Sequence, residues 1–309
     1  MPLRSATLRR LALVLLVCWL TACQRDGAPG AGVIRVAAPV PAKPAAKPVD
    51  AVKVLAARLL ARDGAGFTRL AVPPELHARL NEGWRAGTTR WPLDELPLDA
   101  RLPAMLAALQ TKGADKALQA TFRRQFKGAD RDIDEAVRTL AQFGGEYVQK
   151  EADYTPEERD HVTQAIAAMS RWAVAAPLSD PTRAERLFGA LAAAARRSGI
   201  DGKSGNAAYA ALGMDTSLSR MSPFIDILLA QLRKDYAFDL DASLRGLEVR
   251  LLQQTGDQAR LRLRYRLAGS EIDAMVPAVR IDGHWYLADF VRRAETTLAA
   301  TDAGKPASP

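Results

Sequence analysis

Cysteine and histidine are scarce in this chain of 309 residues, which holds two of the first and three of the second. A disulfide framework, a thiol-rich metal cluster and a multi-histidine centre are thereby excluded as organising features. Aromatic residues make up only 6%. Beyond residue 20 no apolar run approaches the ~18 residues of a spanning helix, which excludes a multi-span membrane protein. Hydrophobic residues at 48% and charged residues at 25% describe an ordinary folded chain, and the abundance of alanine leans it towards helix.

What is present is concentrated first at the N-terminus. Arg4, Arg9 and Arg10 precede an unbroken apolar run, Leu11–Leu20, with no acid among the first 22 residues. Ten apolar residues are too few to span a bilayer and suit the central segment of a signal peptide. The run ends in Leu20-Thr21-Ala22-Cys23. This tetrapeptide resembles the lipobox of bacterial lipoproteins, and the resemblance implies cleavage after residue 22, with fatty-acyl chains such as palmitate carried on Cys23. Gln24, in place of the Asp associated with inner-membrane retention, implies an outer-membrane anchor with a periplasmic body.

Several expectations follow from that leader. Each buried methylene contributes ~0.8 kcal/mol, so a multiply acylated Cys23 is a near-permanent membrane attachment. Cys18 leaves with the leader and Cys23 carries lipid, so the mature body has no thiol. The leader holds three of the 43 basic residues and none of the acids, which lowers the formal charge from +8 to +5. A mildly basic body outside the cytoplasm points to the membrane and to an anionic envelope component or an envelope protein as partners, with no nucleic acid and no cofactor.

Residues 23–49 carry Pro29, Pro39, Pro41, Pro44 and Pro48 among alanines and lysines and read as a lipidated tether. Residues 299–309 read as a disordered tail. Between them the sequence predicts an α+β fold: a helical domain over 50–220, then a helix and a four-stranded antiparallel meander over 221–298. Asp50 is placed as the cap of the first helix, and Phe67–Leu98 is read as irregular because of its prolines and glycines. Later helices are placed to stop at Gly113, Gly128 and Gly144-Gly145, and to start at Thr155-Pro156, Asp180-Pro181 and Ser222-Pro223.

After Asp241 the apolar period changes from 3.6 to 2. Strands are expected over Leu247–Gln253, Arg260–Ala268, Glu271–Ile281 and Trp285–Phe290. A three-residue turn at Thr255–Asp257 puts Val249 opposite Leu263 and Glu248 opposite Arg264. A two-residue turn at Gly269-Ser270 puts Leu267 opposite Ile272 and Arg266 opposite Asp273, and Pro277 marks a bulge or an edge. The apolar face (Val249, Leu251, Leu261, Leu263, Tyr265, Leu267) is expected under the Phe224–Leu232 helix. The helix and meander ending in Val279–Leu287 are similar to the closing strands of cystatin-like and NTF2-like modules.

Arg260, Arg262, Arg264 and Arg266 alternate along one strand, with Arg250 alongside, and so share a face. They read either as a contact surface for an anion or acidic partner, or as a solvated face balanced by Glu248 and Asp273. Glu158 and His161 have the spacing of di-iron carboxylate ligands but lack the second Glu-x-x-His such sites need. Gly202-Lys203-Ser204-Gly205 fails both the phosphate-loop and the hydrolase-elbow patterns and is placed as a loop. His77 and His284 carry no mark of a base. Trp84 and Trp91 either line a groove or pin their loop to the bundle. No catalytic constellation assembles, so the chain reads as a non-catalytic outer-membrane lipoprotein, an interaction or assembly factor. The alternative is a small-ligand or lipid carrier with a pocket between the 222–236 helix and the meander.

Overall fold

The computed structural model describes residues 43–96 and 99–302; the leader, Cys23, most of the tether and residues 303–309 lie outside them. The fold is α+β: helices α1 (Pro48–Leu60), α2 (Gly64–Ala71), α3 (Pro74–Ala86), α4 (Leu102–Gln110), α5 (Ala114–Gln125), α6 (Asp130–Lys150), α7 (Pro156–Ala175), α8 (Pro181–Arg197), α9 (Asn206–Leu212), α10 (Met214–Tyr236) and α11 (Leu240–Arg245) precede a meander. Its strands are β1 (Glu248–Thr255), β2 (Gln258–Leu267), β3 (Ser270–Ile281) and β4 (His284–Leu287), in sheet order β1-β2-β3-β4, and α12 (Ala288–Asp302) closes the chain. No helix among the described residues is long and apolar enough to cross a membrane.

Local chemistry explains most helix starts. Thr155 accepts from the Glu158 N–H while Glu158 accepts from the Thr155 N–H, a reciprocal capping box. Asp180 accepts from Thr182 and Arg183 at the head of α8. Four expectations are corrected. Asp50 lies in the first turn of α1, which Pro48 opens after Lys47. The segment from Phe67 holds the second half of α2 and all of α3, because Pro74 sits at a helix's first position, where its missing N–H has no partner to lose. Gly144 and Gly145 lie inside α6 and do not terminate it; a Cβ on Gly144 would make only ordinary contact with Ile166, at 3.4 Å. Pro223 lies inside α10, which begins at Met214; the Ser222 hydroxyl donates to the carbonyls of Leu218 and Arg62. A boundary at 220 therefore cuts a helix, and one apolar core joins Leu106 and Trp172 to Phe224 and Ile272 across it.

The first hairpin pairs Val249 with Leu263 and Glu248 with Arg264, as expected, but by another route. Its turn is the two residues Gly256-Asp257, and a register shift between Leu251 and Gln253 supplies the extra residue. The second hairpin is corrected by two residues: Ala268 and Gly269, both at positive φ, form the turn, so Tyr265 faces Ile272 and Arg264 faces Asp273. Pro277 lies one residue past the reach of β4, an edge position as expected. There α7 takes over the open side of β3: Gln164 donates to the Asp273 carbonyl at 2.9 Å and accepts from its N–H at 2.9 Å, standing in for a strand. The last strand stops at Leu287, and Phe290 is helical. Helix α12 also extends to residue 302, inside the segment read as a tail.

The cover of the apolar face is corrected as well. Helix α1, not α10, lies over Leu261, Leu263, Val276 and Trp285, while α10 packs on α2, α3, α8 and α9. The chain reaches α1 through Ala45, which is 4% exposed and whose carbonyl accepts from the Trp285 N–H at 2.9 Å. A second close approach explains Gly202-Lys203-Ser204. A Cβ on Gly202 would stand 2.4 Å from the Ala107 nitrogen, and the Gly202 N–H donates to Gln110. Gly202→Ala is expected to destabilise by about 1–3 kcal/mol, since backbone cannot rotate away. A lower urea midpoint at unchanged slope is the readout.

Candidate functional site

The arginines lie on one face of β2, as alternation requires, but three are already neutralised. Arg260 Nη2 lies 3.1 Å from Glu157, Arg262 binds Asp273 through two bonds of 2.7 and 2.5 Å, and Arg264 Nη2 lies 2.7 Å from Glu271. The Arg262 bond holds the Asp273 carboxyl below its usual range. Arg250 has only Glu248, at 3.7 Å on its own strand, and Arg266 takes part in none of these pairs. Exposed pairs of this kind contribute ~0–1 kcal/mol each. The ladder is mostly a balanced surface.

At the β1–β2 turn the same face becomes one wall of an open groove of about 560 Å³. Val279 and Ile281 of β3 and Val291 of α12 make an apolar floor, with Arg260, Arg292 and Glu295 along its sides. That volume lies within the ~300–1,000 Å³ of ordinary ligand sites. Arg260 and Arg292 are held by consecutive residues at the head of α7, Arg260 by Glu157 and Arg292 by Glu158. The Arg292 Nε is buried without an acceptor. Sequence reasoning singled out Arg260 and missed Arg292, because only the fold brings α12 to the sheet. The cavity beside Met221 and Phe224 is about 30 Å³, faces α4 and α9, and has room for a single water.

Behind the groove lies a compact ion network. Glu158, 9% exposed, accepts from Arg292 and, at 2.9 Å, from Arg293 Nε. Arg293 also approaches Glu95 at 3.7 Å and stacks over Tyr154, and Arg292 approaches Asp289 at 3.7 Å. Burial pushes the Glu95 carboxyl up to about 7 and the Asp289 carboxyl to about 6, the neighbouring acids adding to both. Three distant segments meet here: the loop after α3, the head of α7 and the first turns of α12.

The remaining residues of interest have structural partners. Trp84 and Trp91 are buried; the Trp84 indole donates to the Trp91 carbonyl at 2.7 Å and the Trp91 indole to Glu95 at 2.9 Å, so they pin the loop. His161 and Tyr265 are 2.8 Å apart. Burial lowers the imidazole and pushes the phenol up to about 12. Glu158 and His161 thus face different partners, and no group of three metal-ligating side chains occurs among the described residues. His77 lies on α3, 3.6 Å from Asp215, and His284 opens β4, half-buried. Comparison with known proteins finds no family, no curated protein and no solved structure that matches this chain.

Proposed function

We propose that this chain is a non-catalytic binding factor of the bacterial envelope, held at the outer membrane by lipid on Cys23, with a periplasmic body that receives its partner at the groove beneath α12. The observation that carries the reading is the groove itself: an apolar floor flanked by two arginines, each oriented by a glutamate at the head of α7. Interaction and assembly factors need such a preformed surface, and they need reach from the membrane, which the proline-rich segment before Ala45 supplies. The partner class is an envelope protein or an anionic envelope component.

The apolar floor also favours the carrier reading, moved from α10 to this groove. One experiment separates the two. Tagged full-length chain is crosslinked in cells and purified as wild type, Cys23→Ser and Val279→Trp, the last filling the floor. A discrete protein recovered from wild type and depleted in both variants supports the binding factor. A co-purifying lipid that Val279→Trp removes, without a protein, supports the carrier. An identical set of companions from all three would sink both readings.

A further inference from the structure

Strand β1 is the open edge of the sheet, with β2 as its one paired neighbour among the described residues. Seven of its eight residues are exposed. Leu251 and Leu252, at 44% and 50% exposure, are half of the four large apolar side chains left in solvent among the described residues. Edge strands are ordinarily blunted by lysine, proline or a bulge. Here the irregularity falls at Leu252, and residues 248–251 before it pair regularly with β2.

The hairpin register fixes which way the backbone faces. Thr255 and Gln258 flank a two-residue turn and so bond to one another, and bonding then alternates along β2. Even-numbered residues of β2 turn towards β1, so Arg250 and Glu248, opposite Arg262 and Arg264, bond inward. Val249 and Leu251 therefore present their N–H and C=O to the open side.

The side chains along this stretch, Leu247-Glu248-Val249-Arg250-Leu251, are complementary about Val249, with a leucine at each end and opposite charges at the two positions flanking the centre. Antiparallel pairing of two copies about Val249 places each Glu248 against the other copy's Arg250 and each Leu247 against the other copy's Leu251. Within its own sheet Arg250 reaches only Glu248 of its own strand, at 3.7 Å, and no acid stands directly opposite it. Opposite it stands Arg262, whose guanidinium Asp273 already holds, and like charges directly opposed destabilise a strand pair. We propose that a second copy of this chain docks on β1, joining the two sheets edge to edge into eight strands about a two-fold axis through Val249. Glu248 and Arg250 are the residues that set its register. The contact is short and smaller than a stable soluble interface. On the lipid anchorage proposed above, confinement of both copies to one surface raises their effective concentration and favours it.

The test uses the full chain in cells. Directly bonded antiparallel residues lie ~5.5 Å apart at Cα, within reach of a disulfide. The body downstream of Cys23 has no cysteine of its own, so Val249→Cys reports cleanly against a wild-type control. Mild oxidation is expected to give a covalent dimer from Val249→Cys and none from Gln254→Cys, which lies far from the axis. In the Val249→Cys background, Glu248→Arg is expected to reduce the dimer at least tenfold, and Glu248→Arg with Arg250→Glu to restore it. Glu248, Arg250 and Gln254 are exposed and Val249 is half-buried against the cluster under α1, so thermal melts of the purified variants check the fold. Equal yields at 249 and 254, no dimer from Val249→Cys, or a yield indifferent to the charge reversal would each overturn the proposal.

Discussion

Replacing Glu158 by alanine is expected to lower the unfolding free energy by about 3–5 kcal/mol, the range seen when one member of a buried ion pair is removed. The size comes from what is left behind more than from what is lost. Glu158 is 9% exposed and serves three donors at once: the Thr155 N–H, Arg292 and Arg293. Its removal leaves two guanidiniums at the head of a helix, where positive charge is least welcome, and takes away half of the capping box. Glu158→Gln keeps the reach and the cap while losing the charge, so it is expected to fall between wild type and alanine. Urea unfolding of the three proteins measures the order; a Glu158→Ala midpoint equal to wild type would show that the network carries no stability.

The same network sets a pH dependence, and its sign is fixed. Glu95 and Asp289 have folded values of about 7 and about 6, both above the usual range of an unfolded carboxyl. The folded state therefore holds these protons more tightly than the unfolded state does. Their contribution is fully present below about pH 4 and is lost as pH rises through about 7. In Glu158→Ala a neighbouring negative charge is gone, so both values fall and the window narrows. Melting temperature followed from pH 4 to 8 in wild type and variant reads this directly.

Trp91→Ala is expected to cost about 3–5 kcal/mol, the range for a fully buried aromatic reduced to a methyl group. Trp91 is 0% exposed, its carbonyl accepts from Trp84, its N–H donates to Thr89 and its indole donates to Glu95. Trp91→Phe keeps most of the volume and loses only the indole donor, so about 1–3 kcal/mol is expected from the unsatisfied Glu95. Differential scanning calorimetry distinguishes them. Equal losses in the two variants would mean that the hydrogen bond, not the packing, holds the loop.

Much of this was legible in the sequence where short-range chemistry decides. Thr155-Pro156 and Asp180-Pro181 announce helix starts because the caps lie within three residues, and the turn residues at 256–257, 269 and 282–283 announce the meander. The register of the second hairpin was not legible, for a definite reason. A slip of two residues returns every side chain to the same face, so Leu267 opposite Ile272 and Tyr265 opposite Ile272 satisfy the apolar pattern equally. The decision falls to the positive φ of Ala268, which no residue type announces. The cover of the sheet was misassigned because α1 is separated from β2 by nearly two hundred residues and its stripe of Val52 and Leu55 suits any core. Arg292 escaped notice for a related reason. Its meaning depends on Glu158, 134 positions away.

The bridge between Ala45 and Trp285 has a mechanical consequence. Among the described residues, a pull delivered along the chain from the N-terminal side is met first at one carbonyl-to-amide bond on β4 and at the buried methyl of Ala45. Only after that bond has yielded does the load pass to α1. Since α1 is the lid of the apolar sheet face, tension that peels it back strips Leu261, Leu263 and Trp285 of their cover in sequence, as a zipper opens from its tab. Under such a pull the cover of the sheet face is loaded before the helices that follow α1 in the chain.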